Sequence, residues 1–225
     1  ISLAFSKYVK EMMKDTDVKA RFIRGGSTKQ LVEMLEEGLT DYILDGQTFD
    51  LESVRSMREN SRHVSTSPFT SYNWHGKGNF ASQVDMVVLG ATEVDVNFNA
   101  NVVTHSDGLM LHGIGGWQNC LFSKCTILAI PSIRKNNPII VDDVTTLVGP
   151  GELIDVVVTE RGIAINPLRD DLIKATKYSR LPIRGINIIK SEIDELIETP
   201  VPKPHLSDKV ISAVKWVDGT LIDSI

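Results

Sequence analysis

Apolar residues first recur at helical spacing at Leu3, Ala4, Phe5, Tyr8, Val9, Met12 and Met13, while Lys7, Lys10, Glu11 and Lys14 fill the other face. That pattern predicts an amphipathic helix whose apolar stripe packs on a core. Ala20 to Ile23 then read as a short strand that ends at Arg24-Gly25-Gly26. Ser27, with Gln30 three residues on, has the spacing of a capping box, and Leu31, Val32, Met34 and Leu35 continue a helix that Gly38 stops. Residues 41–44 read as the next strand. Asp45-Gly46-Gln47 leaves it as a turn, and Asp50 caps a helix over residues 51–59.

Further along, residues 61–78 are rich in Ser, Thr, Asn and Gly and read as a long loop carrying His63, Tyr72, Trp74 and His75. Strands are expected to end at Val87-Val88-Leu89 and to run over 126–130, 139–141 and 154–158, with helices over 168–178 and 190–197. Residues 131–138 read as a basic exposed turn, and Pro200, Pro202 and Pro204 as an extended segment. Two short apolar runs flank Asp218-Gly219, a type I′ hairpin signal. Strands alternating with helices predict an α/β fold, a mostly parallel sheet flanked by helices.

At 225 residues and 42% hydrophobic content the chain can bury one good core or two small ones. It begins on Ile1 and ends on Ile225, which is expected of part of a longer polypeptide. A net charge of −5 argues against broad binding to nucleic acid or anionic membranes. An anionic ligand would need local basic groups. Cys120 and Cys125 fit neither a zinc pair nor a secreted disulfide framework and read as core thiols in a reducing compartment. No apolar run approaches the roughly 20 residues that span a bilayer, and no signal peptide opens the chain, so the cytoplasm is expected.

Candidate chemistry concentrates in residues 89–120. Glu93 and Asp95 follow a strand's carboxyl end, where open α/β sheets bind ligands. Asn97, Asn99 and Asn101 stand at period two: if extended they share a face, and otherwise they form an Asn-rich turn. Gly113-Ile114-Gly115-Gly116 offers uncovered backbone N–H groups that can cradle an oxyanion, although glycines more often serve a tight turn. His105, Asp107 and His112 lack the spacing of a metal site, and no metal is expected. Glu160 and Arg161 are either a structural ion pair or a contact across a cleft.

The segments VVLGATEVDVNFNANV, GIGG and IIVDDVTTLVGPGELIDVVVTERGIAINPLRDDL, in that order, resemble the C-terminal half of the citrate lyase alpha subunit, a relative of the coenzyme A transferases. The resemblance runs from about Arg24 to Leu172. It implies a coenzyme A transferase-like domain of the NagB/RpiA type over residues 1–225, with a leading helix to 20, a main α/β body over 21–190, and a C-terminal helix, Pro-rich segment and hairpin over 191–225. In ordinary coenzyme A transferases the turn that Asp45-Gly46-Gln47 occupies here carries a nucleophilic glutamate. Its absence leaves either Asp45 as the carboxylate or direct attack by the substrate's own carboxylate, with Gln47 in a binding role. Asn119 stands where relatives tend to carry an aspartate, and residues 69–73 become candidates for contacting an acyl or pantetheine group.

The implied activity exchanges the acetyl group of an acetyl thioester for citrate, giving citryl thioester and acetate within citrate lyase. Gly113, Gly115 and Gly116 would form the oxyanion nest, and Asp45, Gln47, Glu93, Asn97, Asn99 and Asn119 would bind substrate or thioester. The implied partners are an acyl carrier protein, the lyase subunits and a second copy of the chain. The thiol would come from coenzyme A or the carrier's prosthetic group, with no tightly bound cofactor. Because the family's active site lies between halves, the chain alone is expected to be inactive. Two rivals are a transferase for another carboxylate such as acetate or butyrate, and a non-catalytic module docking subunits of the complex.

Overall fold

The computed structural model describes residues 2–67, 80–198 and 207–225. They fall into two compact units, Ile1–Asn79 and Phe80–Ile225. Candidates at Phe69 to Asn73, Trp74, His75 and the Pro200 to Pro204 segment lie outside the described residues.

The first unit opens with helix α1 (Ser2–Asp15), followed by β1 (Ala20–Ser27), α2 (Lys29–Glu36), β2 (Thr40–Thr48), α3 (Leu51–Glu59) and β3 (His63–Ser65). The strands form a parallel sheet in the order β1-β2-β3. Its core gathers Met13, Leu31, Met34, Leu35, Leu39 and Ile43. Each such side chain contributes on the order of 2 kcal/mol by leaving water. Asp50 caps α3 as the spacing predicts, accepting from Ser53 N at 2.8 Å, and its other oxygen accepts from Lys29 N at 2.6 Å in the first turn of α2. Burial would raise the Asp50 carboxyl, but these N–H donors hold it below its ordinary value.

Two local readings change here. Ser27 is the last residue of β1, not a cap; Thr28 takes the cap position without a side-chain hydrogen bond. Asp45-Gly46-Gln47 is not a turn but the continuation of β2, where Gly25 pairs with Asp45 and Gly26 with Gln47, leaving Gly46 as the extra residue of a bulge. A two-against-one pairing is what glycine tolerates, and Gly25 has φ +138°. A side chain at Gly26 would meet the Phe49 ring at 1.9 Å.

The second unit is built on β4 (Val87–Leu89), β7 (Thr126–Ala129), β11 (Val156–Thr159) and β12 (Gly162–Ile165). Their sheet order is β12-β11-β7-β4; the first three in sequence run parallel, and β12 turns back as an antiparallel edge. Beside it lies a small sheet of β10 (Ile140–Val141), β5 (Glu93–Asp95) and β6 (Ala100–Asn101). The core joins both sheets through Val94, Ala100, Leu128, Ile140, Ile154 and Val157, and α6 (Ile186–Leu196) closes it with Ile186, Ile189 and Ile193. By contrast α5 (Asp170–Thr176) buries none of its residues. A four-residue helix, α4 (Trp117–Cys120), and the ribbon of β8 (Ile133–Arg134) with β9 (Asn137–Pro138) complete this body.

The type I′ geometry appears in that ribbon and not at Asp218-Gly219. Lys135 and Asn136 both have positive φ, 49° and 67°. In the hairpin of β13 (Ala213–Lys215) and β14 (Leu221–Ser224), Gly219 alone of the turn is left-handed, at φ 92°, and Gly219 N bonds back to Trp216 O at 2.9 Å. That is a type I turn followed by a glycine bulge, the usual three-residue hairpin loop.

Candidate functional site

The glycine run is fastened to the carboxyl end of β4. Trp117 Nε1 donates to Gly90 O at 3.0 Å, and Gln118 Nε2 donates to Val148 O at 3.0 Å. A Cβ at Gly149 would meet the Trp117 ring at 2.6 Å, so the indole packs where only glycine leaves room. Upstream, Trp117 N reaches Ile114 O at 3.3 Å, a turn that passes through Gly115 at φ +59°. Side chains at Gly113 and Gly115 would meet nothing within 4 Å, so both stand in open space. Among the described residues nothing accepts from the N–H of Gly113, Gly115 or Gly116. These donors are thus unused, and Gly113 and Gly115 are exposed while Gly116 is half-buried.

The three asparagines do not share a face. Phe98 is left-handed at φ 68°, which folds residues 95–99 into a turn. Asp95 Oδ1 accepts from Asn97 N at 2.8 Å and Asn99 N at 2.9 Å, and its other oxygen takes the Asn99 amide at 2.9 Å. Asn99 Oδ1 accepts from Gly151 N at 2.9 Å, so this side chain is structural at both ends. Asn101 points inward to Glu93 Oε2 at 2.8 Å. Only Asn97 presents an exposed side chain. A Cβ at Gly151 would lie 2.0 Å from Asn97 O, so the segment over residues 148–151 touches the asparagine turn at one end and Trp117 at the other. It thereby links Asn97 to the glycine run.

Glu93, expected to bind ligand, is instead 1% exposed. Besides Asn101 it accepts from Thr145 N at 2.8 Å and Thr145 Oγ1 at 3.1 Å, which fills its acceptor sites within the small sheet. Asn119 sits half-buried on α4, beyond Trp117.

In the first unit, Asp45 is likewise enclosed, with its side chain fully buried. Its Oδ2 accepts from Ser27 Oγ at 2.6 Å and lies 3.3 Å from His63 Nε2; its Oδ1 accepts from Gln47 N at 2.8 Å. His63 in turn meets Ser56 Oγ at 3.0 Å through Nδ1. A carboxylate so fixed is no free nucleophile: it pins the bulge of β2, and Gln47, whose side chain is exposed, is what that bulge presents. His63, expected on a loop, is instead the first residue of β3 and the partner of Asp45. The only available signal was that it follows α3 where a third strand had to begin.

The two thiols are half-buried and not joined in a disulfide, and burial, with the nearby Asp155 carboxylate, pushes Cys125 above the ordinary thiol range. No described helix is long and apolar enough to cross a membrane.

All 225 residues match the model of the family described as citrate lyase, alpha subunit (CitF). The chain belongs to the citrate lyase alpha subunit family. The match reaches past both ends of the resemblance seen from residues 24 to 172. The citrate lyase alpha chain of Escherichia coli (strain K12) is 34% identical over the whole chain, which covers 44% of that protein. A structure described as the alpha subunit of citrate lyase from Streptococcus mutans, in complex with citrate, superposes with a TM-score of 0.95 at 40% identity, covering 100% of this chain and 44% of that one. The malonate decarboxylase alpha subunit of Acinetobacter baumannii, at 13% identity and TM-score 0.52 over 84% of this chain and 50% of its own, shares the fold alone. The chain therefore spans less than half the length of the curated relatives it matches.

Proposed function

We propose that this chain is the second half of a citrate transferase that works within citrate lyase, exchanging the acetyl group of a coenzyme A or carrier-protein thioester for citrate. The observation that carries this reading is the run Gly113 to Gly116, whose glycine N–H groups are unused among the described residues and open at Gly113 and Gly115, fixed by Trp117 to the carboxyl end of β4. A citrate carboxylate attacks the acetyl thioester carbonyl and expels the thiolate, leaving a mixed anhydride. The thiolate then attacks the citryl carbonyl and releases acetate. Both steps pass through an oxyanion, and preorganised backbone donors stabilise such a charge without reorganising.

In this reading Asn97 and Asn119 contact the substrate or the thioester's amides, with Glu93 and Asn99 holding the second unit's turn in place; in the first unit, Asp45 fixes the bulge that presents Gln47 as a binding side chain. The enclosure of Asp45 favours direct attack by substrate over a protein-bound acyl intermediate. The citrate-complexed Streptococcus mutans relative supports citrate over acetate or butyrate as acceptor. Assembly with a carrier protein, lyase subunits and a second copy belongs to the same proposal, as does inactivity of this half alone.

The test uses the complete enzyme, preincubated with acetyl thioester and then treated with hydroxylamine or borohydride. Retained activity is expected, together with preference for citrate over monocarboxylates. Inactivation would reveal a covalent acyl intermediate and overturn direct attack. Undiminished exchange in an enzyme carrying Gly113→Pro, which removes that N–H at a position outside the left-handed region and with open space around its Cβ, would overturn the oxyanion assignment.

A further inference from the structure

The carboxyl edge of the second unit's sheet carries an arginine, Arg161, that its surroundings among the described residues anchor at one edge of the guanidinium and leave without an acceptor at the other. β7 leads through Ile130 and Pro131 to Ser132, and β11 leads through Thr159 to Glu160 and Arg161. Ser132 is fully buried. Its backbone N–H donates to Glu160 Oε2 at 3.0 Å and its hydroxyl donates to Glu160 Oε1. Having given its proton to Glu160, the Ser132 oxygen accepts from Arg161 Nε at 3.0 Å. The Glu160 carboxylate itself stays 3.9 Å from Arg161 Nε, beyond hydrogen-bond reach. Glu160 and Arg161 thus form a long ion pair at 3.9 Å, without a direct hydrogen bond, and Ser132 bridges them.

The backbone is held as firmly. Arg161 N donates to Thr159 Oγ1 at 3.1 Å, and Arg161 O accepts from Arg184 Nη1 at 3.1 Å, while Arg184 is occupied by Glu192. The guanidinium is thus anchored at Nε, its side chain 31% exposed, and among the described residues neither Nη group has an acceptor. A planar fork with one edge tied and the other vacant suits a carboxylate or phosphate oxygen pair. Register places Leu89 opposite Leu128 and Ala129 opposite Val158, so the ends of β4 and β11 lie two strands apart, about 10 Å at ordinary strand spacing. Gly90, which holds Trp117 and the glycine run, stands at the first of these ends.

We propose that Arg161 is an anion-binding residue at this edge, its free Nη groups receiving a carboxylate or phosphate of the ligand, with Ser132 and Glu160 as positioning residues. This deepens the transferase reading and rests on it. In a chain of net charge −5 the edge needs such a local cation to receive an anionic substrate. Citrate and the phosphates of coenzyme A share the required chemistry.

The experiment measures binding of citrate, and separately of coenzyme A, to the full-length protein by calorimetry, without turnover. Arg161→Gln is expected to weaken one of them about 10- to 100-fold, the range of a lost charged hydrogen bond. Arg161→Lys should fall between, and Ser132→Ala should weaken the same ligand several-fold. Loss confined to citrate assigns the carboxylate source, and loss confined to coenzyme A the phosphate source. Wild-type affinity for both in Arg161→Gln overturns the proposal. Should that variant misfold, phenylglyoxal labelling of the wild-type enzyme decides it: slower modification at Arg161 under saturating citrate or coenzyme A supports the site, and an unchanged rate under both overturns it. Failure of the transferase reading is separable, because it would leave a wild-type enzyme that binds anions through Arg161 yet exchanges no acetyl group.

Discussion

The indole N–H of Trp117 bonds to the carbonyl of Gly90 at 3.0 Å, joining the residue after the glycine run to the residue after β4. Trp117→Phe keeps most of the packing against Gly149 and removes this bond. Stability should fall by about 1 kcal/mol, lowering Tm by roughly 3 °C. Acetyl exchange in the complete enzyme should fall more steeply than stability, because the glycine loop loses its anchor. Calorimetry alongside a transferase assay checks both.

Gly151→Ala is expected to be among the costliest single-atom-scale changes in the second unit. The added Cβ would lie 2.0 Å from the Asn97 carbonyl, and that oxygen belongs to a backbone turn clamped by Asp95. A loss of about 3 kcal/mol or more follows from overpacking against an immovable partner. Gly113→Ala, with nothing within 4 Å, should unfold within about 0.5 kcal/mol of wild type. Urea unfolding of the two variants compares them directly.

Asp45→Ala strands Ser27, the Gln47 N–H and His63 in a buried pocket at once. About 3 to 4 kcal/mol of destabilisation is expected, as for other buried charged groups that lose a partner. Asp45→Asn, which keeps an acceptor and the volume, should recover part of it. If Asp45 were instead the nucleophile, Asp45→Asn would abolish exchange while leaving the melting temperature unchanged.

The Asp171 carboxyl is held well below its ordinary 3.8, at about 2, chiefly by its hydrogen bonds to the Arg169 guanidinium. A depressed folded-state pKa means that this contribution to stability is complete above about 4 and is lost as pH falls through about 2. The carboxylate is exposed, so solvent screening keeps the effect small. Carbon-detected NMR titration should find Asp171 titrating near 2 in the wild type and returning toward 3.8 in Arg169→Leu.

Much of this architecture was legible along the chain. The helix over Leu51–Glu59 and its Asp50 cap follow from residues a few positions apart, because capping and amphipathic stripes are local. So does the amphipathic character of Ser2–Asp15 and the membership in an α/β class. The resemblance named the family from the order of three segments, and the whole-chain match extends it. Periodicity failed where pairing partners decide. The bulge at Gly46 exists because β1 offers Gly25 and Gly26 opposite it, and the antiparallel β12 because Glu160 and Arg161 turn the chain back onto β11.

The chain's own order of residues determined which groups are present: bare glycine amides, short amides, a carboxylate at position 45, one arginine after a strand. The tertiary structure decided which of them face outward. Asn97 and Asn101 are four residues apart and chemically identical, yet one is exposed and the other is spent on Glu93, since a left-handed Phe98 and a distant Gly151 set the turn between them. Burial and hydrogen-bond satisfaction depend on partners dozens of residues away, and no local pattern encodes them.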